Sequence, residues 1–569
     1  MFSPTSQQID ILEYNGNLVV AAGAGSGKTT TIASKIANIV EGLKWYQGVI
    51  AISYTNKASQ ELKRKTLRFS SDVKNSFFGT IDSFLISNSI MRFAKHYFGL
   101  PTQKVVIQKF PEGYNDTLNK IIKCLDGILK SYETVSINQI EEDNRNPIDE
   151  IPEPFLRFIK TKYLEGKFDL RLVGYFANIL FLSSSSCRKY FKATYKHLFV
   201  DEFQDSDKAQ YYLFMRISEL GIPSWAIGDV NQAIFGFADK SSEFLLSLMD
   251  NRDFANLPMD INHRCHPSID LYGRKFLGLQ CDETNIEETR VFEVHITGDE
   301  KDIGRWFNER IEKIKERFNI NNNSSICIIA KSDVKLEQFV HGIDIPFKIH
   351  GKSVLDQDES QWGGLIKKLL RLGFDNTASA YGFIEVYLDI ESPKERIRVK
   401  KAKEAINQFR EACQHYQRSG ELQINSICQL GSEVLNLLLP DARNEFSILN
   451  LEYFLRNEEH KMSFFYPPKD EEIQLMNIHK VKGLEYDVVI HLDLYQFILP
   501  GYDWIVNQDE SELQASKYLH YVGITRAKEA LIIATSSLRY QSNRGRSIEG
   551  VVSEFLDGEV ERYRLNWED

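Results

Sequence analysis

A glycine-rich peptide near the start of the chain has the residue types that bind phosphate groups. It reads Gly23-Ala24-Gly25-Ser26-Gly27-Lys28-Thr29-Thr30. Glycines let backbone N–H groups curl around a di- or triphosphate, and the positive end of a following helix strengthens the attraction. The lysine of such a loop reaches the β- and γ-phosphates, and the next hydroxyl can ligate Mg²⁺. We therefore predict that residues 24–30 bind a nucleotide and that Thr29 also binds the metal.

The segments on either side of this peptide have the patterns of a strand and a helix. Asn17 to Ala22 is a short apolar run, and Ile32, Ile36 and Ile39 recur at helical spacing. Strand, glycine-rich turn and helix form the setting that a phosphate-binding loop requires. The strict pattern has glycine where Ala22 stands, and a small residue suffices there. The alternative, a glycine-rich turn with a chance lysine, leaves both flanks unexplained.

A second group of suitable side chains follows another apolar run. His197 to Val200 is typical of a buried strand, and Asp201-Glu-Phe-Gln-Asp-Ser-Asp207 comes directly after it. A carboxylate at a strand tip beside a phosphate loop can bind Mg²⁺, and its neighbour can orient the attacking water. We predict that Asp201 binds the metal and that Glu202 is the general base. The alternative is a solvated acidic turn, but the apolar run favours a strand end.

The stretch Ile261-Asn-His-Arg-Cys-His-Pro267 allows two chemical interpretations. His263, Cys265 and His266 are metal-ligand types, so a zinc site is the first. No second pair of ligands stands nearby in the sequence, which counts against it. The second interpretation places the chemistry on Arg264, because a guanidinium group can stabilise the charge on a transferring phosphoryl group.

Seven segments follow one another along the chain in an order that is itself informative. They are Ile50-Ala-Ile-Ser-Tyr-Thr-Asn-Lys-Ala58, Phe78-Gly-Thr-Ile-Asp-Ser-Phe84, Asp201-Glu-Phe-Gln-Asp205, Gly228-Asp-Val-Asn-Gln-Ala-Ile-Phe235, Asn262-His-Arg264, Ile478-His-Lys-Val-Lys-Gly-Leu-Glu485 and Tyr521-Val-Gly-Ile-Thr-Arg-Ala-Lys528. This set resembles the ordered motifs of superfamily 1 helicases of the UvrD, PcrA and Rep type. The resemblance covers most of both motor domains, and seven motifs in order are more specific than any one of them.

The resemblance implies an α/β fold with two RecA-like P-loop motor domains, each with a mainly helical inserted subdomain. The first motor domain is expected at residues 1–98 and 190–268, with its helical insert at 99–189. The second is expected at 269–349 and 466–569, with a compact helical insert at 350–465. ATP is expected in the cleft between the motor domains, and single-stranded DNA across the top of both.

The resemblance also assigns roles around the nucleotide. Gln8 matches a glutamine that contacts adenine, and the adjacent Gln7 leaves the register open. Gln232 matches the glutamine that links the γ-phosphate to the DNA groove. Arg264 and Arg526 match two arginines that reach the γ-phosphate when the domains close.

Three further residues complete the predicted nucleotide site. His263 stands where relatives have a tyrosine that stacks on adenine, and an imidazole ring can stack as well. Gly483 and Glu485 match the motif whose acid meets the ATP ribose. With Arg264 in its family role, Cys265 and His266 need no metal.

A motor that moves on any sequence needs contacts that every base can make, and aromatic rings provide them. The predicted DNA-binding residues are Tyr54, Thr55, Asn56, Thr80, Phe235, Phe237 and His479. The alternative for Phe235 and Phe237 is a place in the core at strand spacing. After Phe237 the family usually has Arg-Gly-Ala, whereas this chain has Ala238-Asp-Lys240. The change bears on DNA coupling and unwinding more than on ATPase chemistry.

Several elements outside the motifs are needed to position these groups. The expected strands are 292–296, 326–329, 473–476, 487–490 and 531–533, and the expected helical faces are Phe307, Ile311, Ile314, Phe318 and Ala402, Ile406, Phe409, Cys413, Tyr416. The uncharged run Leu172 to Cys187 predicts a buried helix, since it is too short and too polar to span a bilayer. The acidic, proline-containing stretch Glu141 to Pro154 predicts a surface loop.

The composition suits a cytoplasmic enzyme. The chain has 569 residues, with 43% hydrophobic and 26% charged residues. Its seven cysteines are scattered, so a disulfide framework is not expected. The N-terminus lacks the pattern of a secretory signal, and no membrane partner is expected. The net charge of −10 argues against indiscriminate coating of DNA, but a local cationic and aromatic groove can still bind a strand.

Three hypotheses follow from these patterns. The first is an ATP-dependent 3′-to-5′ single-stranded DNA translocase or helicase that uses Mg²⁺. The second is a helicase-like subunit that senses DNA or nucleotide and regulates a partner nuclease in anti-phage defence; the compact build resembles the helicase-like subunit of the Gabija system. The third, an unrelated P-loop kinase or transporter ATPase, does not explain Arg264 and Arg526 in their motifs.

Overall fold

Two large parallel β-sheets organise the molecule. The computed structural model describes residues 3–53, 56–232, 243–281, 286, 288–350, 353–358, 360–374, 380–385, 387–388, 395–419, 423–440, 444–457, 469–541 and 545–568. The strands of these residues are β1 (Leu18–Ala22), β2 (Gly48–Ile52), β3 (Phe77–Gly79), β4 (Val106–Gln108), β5 (Lys167–Asp169), β6 (Tyr195–Asp201), β7 (Ser224–Gly228), β8 (Ala255–Met259), β9 (Val291–Ile296), β10 (Ile326–Ala330), β11 (Phe347–Ile349), β12 (Ile473–Asn477), β13 (Tyr486–His491), β14 (Ala527–Ser536), β15 (Leu538–Gln541), β16 (Arg546–Glu549) and β17 (Leu565–Asn566).

The strand orders show one motor domain around each sheet. The first sheet has the order β3-β2-β6-β7-β1-β8, and the second has the order β11-β12-β10-β13-β14-β9-β17. All pairings within both sheets are parallel, so the carboxyl ends of the strands meet at one edge of each sheet. The predicted α/β fold with two motor domains is confirmed.

Helices cover both sheets and build the two inserts. Around the first sheet and in its insert they are Ser6–Glu13, Lys28–Glu41, Asn56–Phe69, Ile81–Leu85, Met91–Phe98, Asn115–Ser131, Ile137–Glu142, Glu153–Leu164, Val173–Ser183, Ser185–Thr194, Lys208–Glu219 and Glu243–Met249. Around the second sheet and in its insert they are Pro267–Phe276, Glu300–Phe318, Asp333–Val340, Val354–Gln357, Gln361–Phe374, Ala380–Glu385, Arg396–Ser419, Ile424–Leu438, Glu445–Arg456, Tyr502–Asn507 and Glu510–Ile524. Within the described residues, no helix has the length and apolar character needed to cross a bilayer.

The first sheet brings the chemically suited segments of its half together. Strand β1 pairs with β7 on one side and β8 on the other. Four of its five residues are buried and all five are apolar, as in a parallel sheet that is covered on both faces. Strand β6 lies on the far side of β7. The residues after Ala22, Asp201 and Gly228 therefore emerge at the same edge of the sheet.

The first insert shares its core with the first motor domain. The predicted buried helix is present as Val173–Ser183, and Ser184 then caps the next helix by accepting the N–H of Cys187 at 3.2 Å. The prediction of a surface loop at 141–154 is partly wrong. Ile148 and Ile151 are 2% and 3% exposed, because these two apolar side chains anchor the stretch in the core.

The second insert is helical and has its own core. Trp362, Phe409 and Leu451 are fully buried within it. The predicted helical face of residues 402–416 lies on the helix Arg396–Ser419, whose apolar side chains point into that core. This insert packs separately from the second sheet.

The two inserts contact one another. Lys104 Nζ of the first insert donates a hydrogen bond to Leu388 O of the second at 3.1 Å. Gln361 Nε2 of the second donates to Lys109 O of the first at 3.3 Å. Val106 packs against the core of the second insert.

The chain passes from one motor domain to the other after β8. All strands of the first sheet precede residue 260, and all strands of the second follow residue 290. Cys265, Ile269 and Tyr272 belong to the core of the second sheet. The packing therefore changes from the first sheet to the second between Met259 and Cys265.

Candidate active site

The glycine-rich loop lies between β1 and a helix that begins at Lys28, as its flanks predict. Gly25 has φ +67°, and a Cβ there would be 2.3 Å from Asn262 Oδ1. Only glycine meets both conditions. Within the loop, Ser26 Oγ and Lys28 Nζ donate to Gly23 O at 2.9 and 3.2 Å. The loop is held in a fixed curve by its own side chains and by the hydrogen bond that the N–H of His263 donates to Gly25 O.

The two adjacent glutamines near the N-terminus have different surroundings. Gln8 is buried; its Nε2 donates to Ser26 O at 3.0 Å and its Oε1 accepts the N–H of Thr5 at 3.0 Å. Gln7 Nε2 donates to Asp260 Oδ1 at 2.6 Å instead. Gln8 is thus the glutamine that contacts the loop, although it does not line the cleft described below.

Asp201 is the last residue of β6 and Glu202 follows it, so both carboxylates stand at the strand end that the apolar run predicts. Asp201 is buried, and burial followed by the nearby Glu202 charge raises its pKa. Burial also acts to raise the pKa of Glu202, but the cations Lys482 and Lys28 outweigh it and lower that pKa. Glu202 has φ 57°, a left-handed conformation that costs about 1–3 kcal/mol in a residue other than glycine.

A cleft of about 650 Å³ lies between the two motor domains. Its lining contains fourteen of the predicted site residues: Gly25, Ser26, Gly27, Lys28, Thr29, Thr30, Asp201, Glu202, Gln232, His263, Arg264, Gly483, Glu485 and Arg526. The sequence-predicted residues from both halves of the chain are therefore brought together. Ala24, Thr80 and His479 lie outside this lining.

Arg264 has a carboxylate partner in the cleft. Its Nε donates to Glu485 Oε2 at 2.9 Å, and its Nη1 donates to Thr525 O at 3.2 Å. Lys528 Nζ lies 3.3 Å from the other oxygen of Glu485. Burial acts to raise the pKa of Glu485, but Arg264 and Lys528 lower it. The acid predicted to meet the ribose thus also orients the predicted phosphate-binding arginine.

Arg526 joins the two motor domains through Gln232. Its Nη2 donates to Gln232 Oε1 at 2.9 Å, while Nε donates to Val522 O at 3.0 Å. Arg526 is 2% exposed, and burial, followed by the charge of Arg264, lowers its pKa to about 10. The guanidinium group remains charged at neutral pH.

Lys482 makes a contact across the cleft that the sequence does not indicate. Its Nζ donates to Asp205 Oδ2 at 2.7 Å and to Gln232 O at 2.8 Å. The side chain of Asp205 is almost fully buried. Lys482 precedes Gly483 in a recognised motif, but the identity of its partner depends on how the two sheets face each other.

Residues 263, 265 and 266 have separate surroundings. The N–H of His263 donates to Gly25 O at 3.0 Å, which places this residue beside the phosphate loop. Cys265 is buried with its Sγ 3.7 Å from Thr525 O. His266 accepts the N–H of Ser268 with Nδ1 and caps the helix Pro267–Phe276.

The predicted DNA contacts are only partly within the described residues. Tyr54, Thr55, Phe235 and Phe237 lie outside them, as does the side chain of Asn56. Thr80 caps the helix Ile81–Leu85 and accepts the N–H of Ser83 at 3.4 Å.

The carboxyl edge of the second sheet has a polar group that contains His479. Asn477 Nδ2 donates to Lys331 O at 2.7 Å, and the N–H of His479 donates to Asn477 Oδ1 at 3.1 Å. Burial and then the charge of Lys331 lower the pKa of His479. Sequence reasoning missed Lys331; its place after the buried strand β10 was the available signal.

The donors and acceptors of the cleft fit a magnesium nucleotide. The curved loop and Lys28 supply positive groups at one end. Asp201 is a buried carboxylate whose raised pKa reflects its burial and the adjacent Glu202, so a cation beside it would relieve both effects. Thr29 is at the start of the helix and lines the same cleft.

Comparisons with known proteins place this geometry in context. Residues 4–253 match the family model of the UvrD/REP helicase N-terminal domain, and residues 385–538 match that of the UvrD-like helicase C-terminal domain. The chain is 25% identical to Gabija protein GajB of Bacillus cereus over 541 residues. This match covers 93% of this chain and 95% of that protein. The chain is 22% identical to the probable DNA helicase II homolog of Rickettsia conorii, over 94% of this chain and 92% of the relative. It is also 22% identical to ATP-dependent DNA helicase PcrA of Staphylococcus aureus, over 97% of this chain and 85% of that relative.

Proposed function

This chain belongs to the UvrD-like helicases, and on that premise we propose that it is an ATP-dependent motor that moves 3′-to-5′ along single-stranded DNA. ATP is the substrate of the cleft between the motor domains. The direction of movement is the one that the family resemblance implies. Relatives named as DNA helicases over nearly the full chain support the general activity.

The observation behind this proposal is that both motor domains contribute charged groups to one cleft. Lys28 and Glu202 come from the first motor domain, and Arg526 comes from the second. In the proposed reaction, Lys28 binds the β- and γ-phosphates and Glu202 accepts the proton of the attacking water. Arg264 and Arg526 stabilise the charge on the transferring phosphoryl oxygens.

Asp201 and Thr29 are the proposed ligands of Mg²⁺. When bound, the metal would neutralise part of the phosphate charge. The backbone N–H groups of residues 24–30 would bind the phosphates, and His263 would stack on adenine. Gln8 would hold the phosphate loop and contact adenine. Gly483 and Glu485 would lie beside the ribose.

DNA is proposed to lie along the carboxyl edges of the two sheets. Thr80 of the first domain and Lys331 and His479 of the second lie at strand ends on these edges. Because the net charge is −10, the grip would depend on local cations and aromatic rings rather than on overall attraction.

The test of this proposal is ATP hydrolysis with and without single-stranded DNA. We expect stimulation by DNA in the wild type and loss of hydrolysis in Lys28→Ala and Glu202→Gln, at least about 100-fold for the loss of a general base. Lys44→Ala, an exposed lysine in the same motor domain, is the matched control. A wild type with a full rate in the absence of DNA and no stimulation would contradict the proposal.

The polarity has its own measurement. Translocation is followed on single strands with a fluorophore at either the 5′ or the 3′ end. A 3′-to-5′ motor changes the signal of the 5′ label with a delay that grows with strand length. Length-dependent arrival at the 3′ label would contradict the proposed direction.

A second candidate function is a helicase-like subunit that regulates a partner nuclease in anti-phage defence. It is supported by the similarity to Gabija protein GajB across 93% of this chain, and by the compact second insert. Purification from native cells and strand displacement by the isolated chain separate the candidates. A stable nuclease partner with weak unwinding favours the subunit, whereas robust unwinding alone favours the independent motor.

A further inference from the structure

A continuous series of hydrogen bonds runs from the second motor domain to the candidate general base. Arg526 Nη2 donates to Gln232 Oε1 at 2.9 Å, and Gln232 Nε2 donates to Asp229 Oδ2 at 2.6 Å. The N–H of Asp229 donates to Gln204 Oε1 at 3.1 Å, and Gln204 Nε2 donates to Glu202 Oε2 at 2.5 Å. We name this series the cleft relay.

The middle of the cleft relay is isolated from solvent. Gln204, Asp229 and Gln232 are 1%, 2% and 5% exposed. The amide of Gln204 has one orientation only, because the N–H of Asp229 can donate but cannot accept. Its oxygen must face Asp229, so its nitrogen must face Glu202. Each group in the series can only donate or only accept at its contact. A displacement of Arg526 therefore reaches Glu202 through the hydrogen bonds between them.

Gly228 leaves the room that this amide occupies. A Cβ on residue 228 would lie 2.5 Å from Gln204 Oε1, 2.8 Å from Leu245 Cδ2 and 3.2 Å from the backbone N of Gln204. Real Cβ atoms do not approach an oxygen that closely. The glycine therefore permits the bond between Gln204 and the next residue, Asp229.

Glu202 needs such a support. Its left-handed backbone, with φ 57°, persists only where the surroundings determine it. One neighbour is Asp201, whose Oδ1 accepts the N–H of Glu202 at 3.0 Å and fixes the backbone. The hydrogen bond from Gln204 fixes the carboxylate itself.

We propose that Gln204 is a positioning residue that transmits the contact between Arg526 and Gln232 to the carboxylate of Glu202. The inference rests on the proposed ATPase function, in which Glu202 is the base. Gln204 and Asp229 do not line the cleft, so they act through Glu202 and not on the nucleotide. Closure of the motor domains thereby sets the orientation of the base as well as delivering the arginine.

The experiment replaces Gln204 by methionine, which keeps its length and removes both hydrogen bonds. The kcat of ATP hydrolysis is expected to fall about 10- to 100-fold, the usual effect of losing a residue that orients a reacting group. The Kd for ATP, measured with a fluorescent analogue, is expected to change less than about threefold, because the cleft lining is intact. A residue that only stabilised the fold would lower the melting temperature without this selective loss of kcat.

Gln474→Met is the matched control. Gln474 is also 1% exposed and its amide also makes two hydrogen bonds, with Glu472 O at 2.8 Å and His350 Nε2 at 2.6 Å. It lies in β12, away from the cleft. We expect Q474M to lower stability while kcat stays within about threefold of the wild type.

Gly228→Ala tests the same relay without changing a polar group. It is expected to lower kcat as Q204M does, because the added Cβ displaces the Gln204 amide. In a Gln204→Ala background the added Cβ meets no amide, although Leu245 Cδ2 still lies 2.8 Å from it. The kcat loss of Q204A/G228A is therefore expected to be smaller than the product of the two single losses. Multiplication of the two kcat losses would overturn the relay.

The outcomes separate this inference from the proposed function. A wild type without any ATP hydrolysis would overturn both. A wild type that hydrolyses ATP, with Q204M retaining its kcat within threefold, would overturn the relay alone. A kcat loss shared equally by Q204M and Q474M would overturn it as well, since the effect would then belong to packing.

Discussion

Arg526 keeps its positive charge although it is buried next to another arginine. It is almost fully buried and close to a second arginine, and its pKa is lowered to about 10 as a result. Three of its nitrogens donate hydrogen bonds, to Val522 O, Leu484 O and Gln232 Oε1. A planar guanidinium group can serve these three acceptors together, whereas an ammonium group cannot match that fork.

Replacement of Arg526 by lysine is therefore expected to be damaging although the charge is kept. We expect kcat for DNA-stimulated ATP hydrolysis to fall by about 1,000-fold or more, the usual contribution of an arginine at a transferring phosphate. Arg564→Lys is the control, because Arg564 lies in the same motor domain and its Nε donates to Glu293 at 2.5 Å. A rate for R526K within threefold of the wild type would contradict this role.

Lys482 and Asp205 form a second test at this scale. Removing the amine in Lys482→Met leaves a buried carboxylate without its closest cation, and breaking such a pair costs about 3–5 kcal/mol. We expect K482M to lower kcat at least about 10-fold, since the penalty disfavours the closed cleft. The double variant K482M/D205N is expected to recover part of that loss.

The control for this pair is Lys480→Met, an exposed lysine in the same turn. Its kcat is expected to stay near that of the wild type. Strictly additive effects of K482M and D205N would show that the two side chains do not act together.

The sequence indicates which residues line the cleft better than it indicates what they contact. Gly25, Lys28, Asp201 and Glu202 all line it, and they have local signatures, because glycine loops and strand-end carboxylates follow short apolar runs. The bonds from Arg264 to Glu485 and from Lys482 to Asp205 join residues more than 200 positions apart. Such partners follow from how two sheets face each other, which local patterns do not contain.

Elements were predicted where their apolar spacing was regular. The helix Arg396–Ser419 and the strands β9, β10, β12, β13 and β14 are present where the patterns indicated. The stretch 141–154 differs from the predicted surface loop, because two isolated core residues, Ile148 and Ile151, lie among its charges and prolines. Two or three apolar residues without a period give no element signal.

One buried pair in the second motor domain has a pH-dependent consequence. His491 ends β13 and His520 lies on the helix Glu510–Ile524, with ring centroids 5.1 Å apart and both side chains fully buried. Among the described residues, His520 has no hydrogen-bond partner at either ring nitrogen. Burial lowers the pKa of His491 to about 3, and that of His520 well below its usual value.

The second motor domain should therefore lose stability in mild acid. The unfolded chain takes up a proton on each histidine below about pH 6.5. The folded chain does so on His491 only near pH 3, and on His520 only well below pH 6.5. Stability is full above pH 6.5 and declines as pH falls, by about 1.4 kcal/mol per pH unit for each histidine. Between pH 7.5 and 5, the melting temperature of His520→Leu should decline less steeply than that of the wild type. The control is His341→Leu, whose wild-type side chain is exposed, and its melting temperature should decline as steeply as that of the wild type. An unchanged slope in H520L would contradict the assignment.

At the scale of the whole molecule, the two inserts form a further contact between the two halves of the chain. They meet through Lys104 and Leu388, through Gln361 and Lys109, and through Val106. Both hydrogen bonds are accepted by backbone carbonyls. The contact therefore depends on the backbone path of the partner insert more than on its side chains. Because the second insert has its own core, this contact can open without unfolding that insert.

Lys104→Glu should open this contact. It places a carboxylate against the Leu388 carbonyl and removes the donor. We expect a larger radius of gyration in small-angle X-ray scattering, because the second insert then moves away from the first. Lys123→Glu makes the same charge change at an exposed position of the first insert, and no change in radius is expected there. Identical scattering from K104E and the wild type would show that other contacts dominate.

The passage from the first sheet to the second has a consequence for Arg264. The segment 260–265 is the covalent joint between the motor domains, and Arg264 lies within it. At about 3.5 Å per residue, a tether this short separates its ends by roughly 20 Å at most. The guanidinium group therefore stays near the phosphate loop at a local concentration on the order of millimolar or higher, however widely the lobes swing apart. In the proposed reaction, each turnover would begin with one of the two arginines already beside the phosphates.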